Sequence, residues 1–323
     1  MMHFLSAFLN MIPSGLPKCI CALFGVLLSC MLASPSLATG PAYAYQLFSP
    51  DPNKAPEPQA RTVVGRLQTY TIQDGDTLLD IARHFGLGYL ELHRLYPNID
   101  PWLPPTGRKI TIPRQWVLPG RAQADIVINL PELRLYRFTK NQDSTMVQTY
   151  PVGIGSTEHP SPVGTFTVGE KRANPHWYLP KSLQSKYNGL QVMAPGPKNP
   201  LGEYWIGLGN SSYGLHGTNN PWSVGRLATN GCIRLYPEHI QPLFEKTVHR
   251  DQVQLIYEPV KLGLLAGSIY AEAHPDIYNR LDDYMYFAYQ RLNAFPFAGN
   301  VDLVKYRHVL HQKSGLPVDV SKD

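Results

Sequence analysis

The stretch LATNGCIRLYP, residues 227–237, holds one cysteine, Cys232, set between a glycine and an Ile-Arg pair. The other three cysteines, Cys19, Cys21 and Cys30, all lie in an N-terminal segment, 1–38, that has no acidic residue and one lysine, Lys18. Its apolar run 19–32 is shorter than the about 20 residues that span a bilayer. It fits the core of a secretory signal with Lys18 as charged flank, and Ser36-Leu37-Ala38 reads as the cleavage site. Two alternatives stay open: an uncleaved anchor, and lipidation at Cys30, since Leu27-Leu28-Ser29-Cys30 is similar to a lipobox. Membrane contact is expected only in those two cases. After cleavage Cys232 stands alone in an oxidising compartment, where structural cysteines come in pairs. A leftover thiol there is either a small buried hydrophobe or a reactive group.

Nucleophilic sulfur chemistry needs an ionised thiol, a base for its proton and donors for the oxyanion. A free thiol has a pKa near 8.5 and is mostly neutral until a neighbour helps. The candidate base is His216 in Tyr213-Gly214-Leu215-His216-Gly217-Thr218, at the end of a probable strand; His239 follows on a probable helix. Gly231 lets the backbone turn tightly so that successive N–H groups converge on one point, as oxyanion stabilisation requires. The remaining histidines show no metal-ligand spacing, and with one thiol left no metal site is expected.

Outward from this stretch, alternating apolar residues at 126–130, 133–135 and 253–257, with further strands at 165–168 and 204–208, are punctuated by Gly and Pro runs. Short strands between such turns predict a mainly β sandwich or barrel over 122–259. Upstream, 39–66 is rich in Pro, Ala and Gln and reads as a tether, followed by a compact unit at 67–114. There a strand at 69–72 leads into Asp74-Gly75-Asp76-Thr77, a turn and helix N-cap. Leu78, Ile81, Ala82 and Phe85 then mark one helix face, and Tyr89, Leu92 and Tyr96 a second helix before a strand at 109–113. Downstream, 260–323 reads as a partly helical appendage: Ile277, Leu281, Tyr284, Ala288 and Leu292 trace a helical stripe after Pro275-Asp276, and 301–311 predicts another helix. The net charge of +5 is spread out with no Lys/Arg block, which excludes a dedicated nucleic-acid protein.

The strand-helix-helix-strand unit, YTIQDGDTLLDIARHFGLGYLELHRLYPNID…GRKITIP, resembles a LysM module, which implies binding to peptidoglycan glycan strands; the alternative is a spacer without glycan affinity. The stretch HGTNNPWSVGRLATNGCIRLYPEHI resembles the signature of the L,D-transpeptidase (YkuD) catalytic domain, and YPVGIG, SPVGTFTV, NPHW and PGPKNPLGEYWIGL precede it in the family's order. The whole chain looks like the Gram-negative periplasmic branch with an N-terminal LysM module, exported by the Sec route. One departure stands out, since the family usually has His where this chain has Asn230.

The resemblance implies a YkuD-type β fold, no cofactor and a defined set of residues. Cys232 would be the nucleophile, His216 the proton donor and acceptor, the Gly217 carbonyl its orienting partner, and the N–H groups of Gly231 and Cys232 the oxyanion donors. Arg234, Asn230, Thr229 and Thr218 would contact substrate. The donor would be a peptidoglycan stem tetrapeptide that loses D-alanine, leaving a thioester resolved by a diaminopimelate amine in a 3→3 cross-link or by a lipoprotein lysine. Sensitivity to carbapenems follows from the same thiol. The rivals are a hydrolase on the same scaffold, an L,D-carboxypeptidase or lipoprotein-releasing amidase, and a non-catalytic wall-binding protein.

Overall fold

The computed structural model describes residues 44–48, 62–120, 124–140 and 144–323. The expected signal segment and most of the expected tether lie outside the described residues. No helix among the described residues is long and apolar enough to cross a membrane.

A nine-stranded mixed sheet forms the frame of the domain that contains Cys232. Its strands run in the order Ala44–Phe48, Ser144–Pro151, Arg134–Lys140, Ile126–Asn129, Gln252–Ile256, Gly164–Ala173, Tyr204–Leu208, Gly214–His216, Ile233–Arg234. Two of its pairings are parallel, Ile126–Asn129 with Gln252–Ile256 and Gly214–His216 with Ile233–Arg234. The alternation read at 126–130 is a strand with both faces covered, because all four residues of Ile126–Asn129 are buried. Ile126 and Ile128 join a core with Leu215, Ile233, Leu235 and Val253, while Val127 on the opposite face joins a second core. Helix Pro237–Lys246 closes the first core with Ile240 and Leu243, as expected from sequence, and carries Pro242 within it.

The second core belongs to the strand-helix-helix-strand unit. Strand Gln68–Thr71 pairs with Lys109–Ile112, and helices Leu78–His84 and Tyr89–His93 lie between them in sequence. The Thr77 hydroxyl caps the first helix by accepting from the Asp80 N–H at 3.0 Å. Leu78, Ile81, Leu92 and Ile110 pack in one cluster with Val127, Tyr136 and Val147 of the large sheet, so the unit and the back of the sheet share a core. Val63–Gly65, read from sequence as tether, forms a strand paired with Gln115–Val117, which brackets the unit. At the seam two glycine backbones meet: Gly225 has φ +75°, and a Cβ on it would fall 2.4 Å from the Gly88 Cα.

The C-terminal segment has its own core around Tyr306, Val309 and Leu292. Its helices are Tyr284–Asn293 and Leu303–Gln312, capped by Asp283 and Asp302. The expected helical stripe from Ile277 is corrected here, because the helix begins only at Tyr284. Before it, the Asp276 carboxylate collects the N–H groups of Arg280 and Leu281 at 3.0 and 2.9 Å and holds a turn instead. Ile277 and Tyr278 pack against the catalytic core, so their apolar spacing reflects a different contact. A three-stranded sheet of Val260–Leu265, Ser268–Ala273 and Val318–Asp319, not foreseen from sequence, completes this segment.

Candidate active site

Two short parallel strands bring the sequence candidates together. Leu215 pairs with Ile233 and His216 with Arg234. Side chains alternate faces along a strand. Leu215 and Ile233 are in the core, so Cys232, Arg234 and His216 share the opposite face. All three line a cleft of about 570 Å³ together with Trp205, Tyr213 and Asn230. The residues between the two strands of this cleft wall, the turn before Cys232 included, are held by a second parallel pair that sets Thr229 against Gly155.

His216 is 3% exposed, and its Nδ1 lies 2.6 Å from the Gly217 carbonyl oxygen. A carbonyl only accepts, so Nδ1 carries the proton in the neutral ring and Nε2 keeps its lone pair. The ring stacks on Trp205 with centroids 6.0 Å apart. Burial, and then the Arg234 guanidinium, press the His216 pKa down to about 3, against the carbonyls of Gly217 and Leu201, which favour the cation. Burial likewise pushes the Cys232 thiol up, with contacts to the Gly214 backbone and Arg234 opposing. At neutral pH Cys232 is therefore a thiol and His216 a neutral imidazole in the same cleft, a base able to take the proton as sulfur attacks. The Cys232 thiol, partly exposed, is directed toward the Ser212 carbonyl at 3.9 Å.

The turn that presents Cys232 is built from its neighbours. Gly231 has φ +100°, and a Cβ there would lie 2.5 Å from the Tyr213 ring, so glycine is required. The Thr229 hydroxyl donates to the Cys232 carbonyl at 2.6 Å and accepts from the Gly231 N–H at 3.2 Å. That bond corrects the expectation that both Gly231 and Cys232 offer oxyanion donors. The Gly231 N–H is engaged, and the Cys232 N–H is the one of the two with no acceptor among the described residues. Thr229 thus supports the turn, and it also lines the cleft. Thr218, also expected to touch substrate, is buried, does not line the cleft, and accepts from the Asn220 N–H at 2.9 Å. Asn230 is exposed on the cleft wall.

Arg234 donates from Nη1 to the Ser223 hydroxyl at 2.8 Å and has no carboxylate partner among the described residues. Burial lowers its pKa, a sign that the charge sits in a site poor in compensation. An anion entering the cleft would supply it. Sequence reading missed the cover of the cleft: a hairpin of Trp177–Tyr178 and Val192–Met193, with helix Lys181–Gln184 between, brings Trp177, Tyr178 and Tyr187 to the cleft. Its strands are only two residues long, too short for periodicity to register.

Away from the cleft, Glu132, Glu272 and His274 converge closely enough to suit a metal ion. The Lys261 ammonium lies 2.8 Å from both carboxylates and supplies the positive charge these acceptors need.

With this geometry in hand, residues 123–255 match the family model for the YkuD L,D-transpeptidase catalytic domain. The chain is 33% identical over 282 residues to the probable L,D-transpeptidase YcfS of Escherichia coli (strain K12), which covers 82% of this chain and 87% of that protein. The chain belongs to the L,D-transpeptidase (YkuD) family. It is 32% identical to the probable L,D-transpeptidase ErfK/SrfK of the same organism, over 82% of this chain and 89% of that protein. To the probable L,D-transpeptidase YbiS it is 35% identical over 66% of this chain and 71% of that protein. The first two similarities run well beyond 123–255, into the flanking segments. The chain is thus an enzyme of L,D-transpeptidase type on a mainly β catalytic domain.

Proposed function

We propose that Cys232 is the acyl-carrying nucleophile of a periplasmic peptidoglycan L,D-transpeptidase. In this reading the sulfur attacks the diaminopimelate carbonyl of a stem tetrapeptide, and His216 Nε2 takes the thiol proton. The C–N bond to D-alanine breaks, the proton returns from His216 to the leaving amine, and a thioester remains. The amine of a second diaminopimelate, or a lipoprotein lysine, then attacks the thioester and the thiol is regenerated. The Cys232 N–H serves the oxyanion, Arg234 clamps a substrate carboxylate, and Asn230 meets the acceptor side.

One observation carries this reading most of the way: His216, Cys232 and Arg234 share one cleft face, with His216 Nδ1 held by the Gly217 carbonyl so that its other nitrogen is a base. The unit at 67–114, read as LysM, would hold glycan strands. Its exposed Trp102 and Leu103, on the loop between helix Tyr89–His93 and strand Lys109–Ile112, suit stacking against sugar faces. The segment 1–38 would direct export and be removed.

The test is incubation of the exported chain with tetrapeptide muropeptides, with and without a lipoprotein C-terminal peptide, followed by mass spectrometry. Dimers joined 3→3 or a peptide adduct support transfer, and tripeptide alone would turn the reading to hydrolysis. Cys232→Ala should form neither product and no carbapenem adduct, while keeping the wild-type circular dichroism spectrum.

A further inference from the structure

Tyr278 lies in the C-terminal segment, outside the matched catalytic stretch 123–255. Its hydroxyl nevertheless donates to the Gly155 carbonyl at 2.7 Å and accepts from the Ser161 N–H at 3.3 Å, across 123 and 117 positions of sequence. Ser161, fully buried, donates from its hydroxyl to the Gly231 carbonyl at 2.9 Å and accepts from the Gly155 N–H at 2.9 Å. We infer that Tyr278 and Ser161 are positioning residues that fix the peptide plane joining Gly231 to Cys232, and thereby aim the Cys232 N–H at the carbonyl under attack. This rests on the proposed role of Cys232 as nucleophile.

A trans peptide holds its C=O and N–H in one plane, pointing in opposite directions. Pinning the Gly231 carbonyl toward Ser161 therefore sends the Cys232 N–H away from the 155–161 loop. The Tyr213 ring packs close to Gly231, since a Cβ built there would fall 2.5 Å from it. Tyr278 is itself fixed. Its ring stacks on Tyr257, its N–H donates to the Tyr257 hydroxyl at 2.9 Å, and the Tyr257 hydroxyl donates to Asp276. Arg280 lies over both rings at 5.3 and 5.4 Å. The chain of contacts runs from a turn in the C-terminal segment to the Cys232 N–H, which has no acceptor among the described residues. A fixed dipole contributes more to an oxyanion than one that must reorient during reaction.

The inference separates two reactions of the same thiol. Acylation by a carbapenem passes through an oxyanion, whereas alkylation by iodoacetamide displaces iodide and needs none. In the full exported chain, Tyr278→Phe and Ser161→Ala should each slow carbapenem acylation about tenfold, a fraction of what losing an oxyanion donor costs. The rate and pH profile of alkylation should stay at wild-type values. The double variant should be no slower than the slower single one, because both act through the same carbonyl. Unchanged acylation would overturn the relay, as would acylation and alkylation falling together or additive effects in the double variant. If Tyr278→Phe does not fold, Ser161→Ala carries the comparison alone. Wild-type protein that is alkylated yet never acylated would instead remove the nucleophile reading on which the relay rests.

Discussion

The two ends of the catalytic sheet treat buried charge in opposite ways. Behind the sheet, the two most deeply buried cations, Arg134 and Lys261, each meet an anion. Arg134 meets both Glu91 oxygens at 2.6 and 2.8 Å and lies over the Trp116 ring. Lys261 meets Glu132 and Glu272, and donates to the Val117 carbonyl at 2.6 Å. Glu132 also accepts from Tyr136, and Glu272 from the Val117 N–H at 2.6 Å. At the cleft, Arg234 has a hydroxyl and no carboxylate, and Cys232 and His216 are held in their neutral forms. The rear charges are matched internally, so they weld the 67–114 unit, the catalytic sheet and the C-terminal sheet into one body. The front charge meets a hydroxyl and no carboxylate among the described residues.

Breaking the rear match should give the largest effect. Lys261→Ala would leave two buried carboxylates facing each other, at a cost of about 3–5 kcal/mol, read as a fall in urea midpoint. A triple variant Glu132→Gln, Lys261→Met, Glu272→Gln should recover most of it, since removing all the charges together strands none. A triple variant as unstable as Lys261→Ala would mean that packing, not charge, is what matters there.

At the front the same kind of deletion should hardly touch stability. Arg234→Ala should lower kcat/KM for tetrapeptide about 10- to 100-fold, in line with one charged hydrogen-bonding contact, with unfolding nearly unchanged. Arg234→Lys should recover only part, because an ammonium lacks the flat fork. An equal loss in stability and activity would place Arg234 with the rear group.

The neutral front pair sharpens the contrast through pH. With the thiol raised by burial and His216 lowered to about 3, the reacting pair of neutral thiol and neutral imidazole is fully populated around neutral pH, so carbapenem acylation should be flat from about pH 5 to 8, without a break near 6.5. Stability does respond to pH. Burial lowers His216 to about 3 and His239 to about 4, both below the ordinary 6.5 of the unfolded chain. Between those values the unfolded chain binds more protons, so stability is full above pH 6.5 and declines as pH falls below it. The smallest effect belongs to Arg83→Ala. Its two-pronged pair with Glu238 at 2.8 Å joins the 67–114 unit to the catalytic helix at a partly exposed site, and should contribute about 0.2–1 kcal/mol by thermal melting.

How legible the molecule was depended on how far apart the interacting residues lie. Helix Leu78–His84 followed from a cap and four apolar positions within one stretch. His216 and Cys232 were legible because they sit at the ends of two short words of sequence. The helix expected from Ile277 failed because a single carboxylate, Asp276, offered the backbone a turn, while Ile277 and Tyr278 were drawn to another domain's core. Thr229 and Gly231 were read as substrate and oxyanion contacts, yet the Thr229 hydroxyl is engaged with the Cys232 carbonyl and the Gly231 N–H, and the Gly231 carbonyl with Ser161.

The sequence by itself determined the periodic elements, the helix caps and the residue types that sulfur chemistry requires, because those are set by neighbours within a few positions. Tertiary structure alone decided which polar atoms remain available. Whether Gly231 or Cys232 keeps a free N–H, whether Arg234 finds an anion, and whether Tyr278 reaches Ser161 all depend on partners brought from distant strands. Hydrogen bonds saturate, and only the folded chain reveals which donors have already been used.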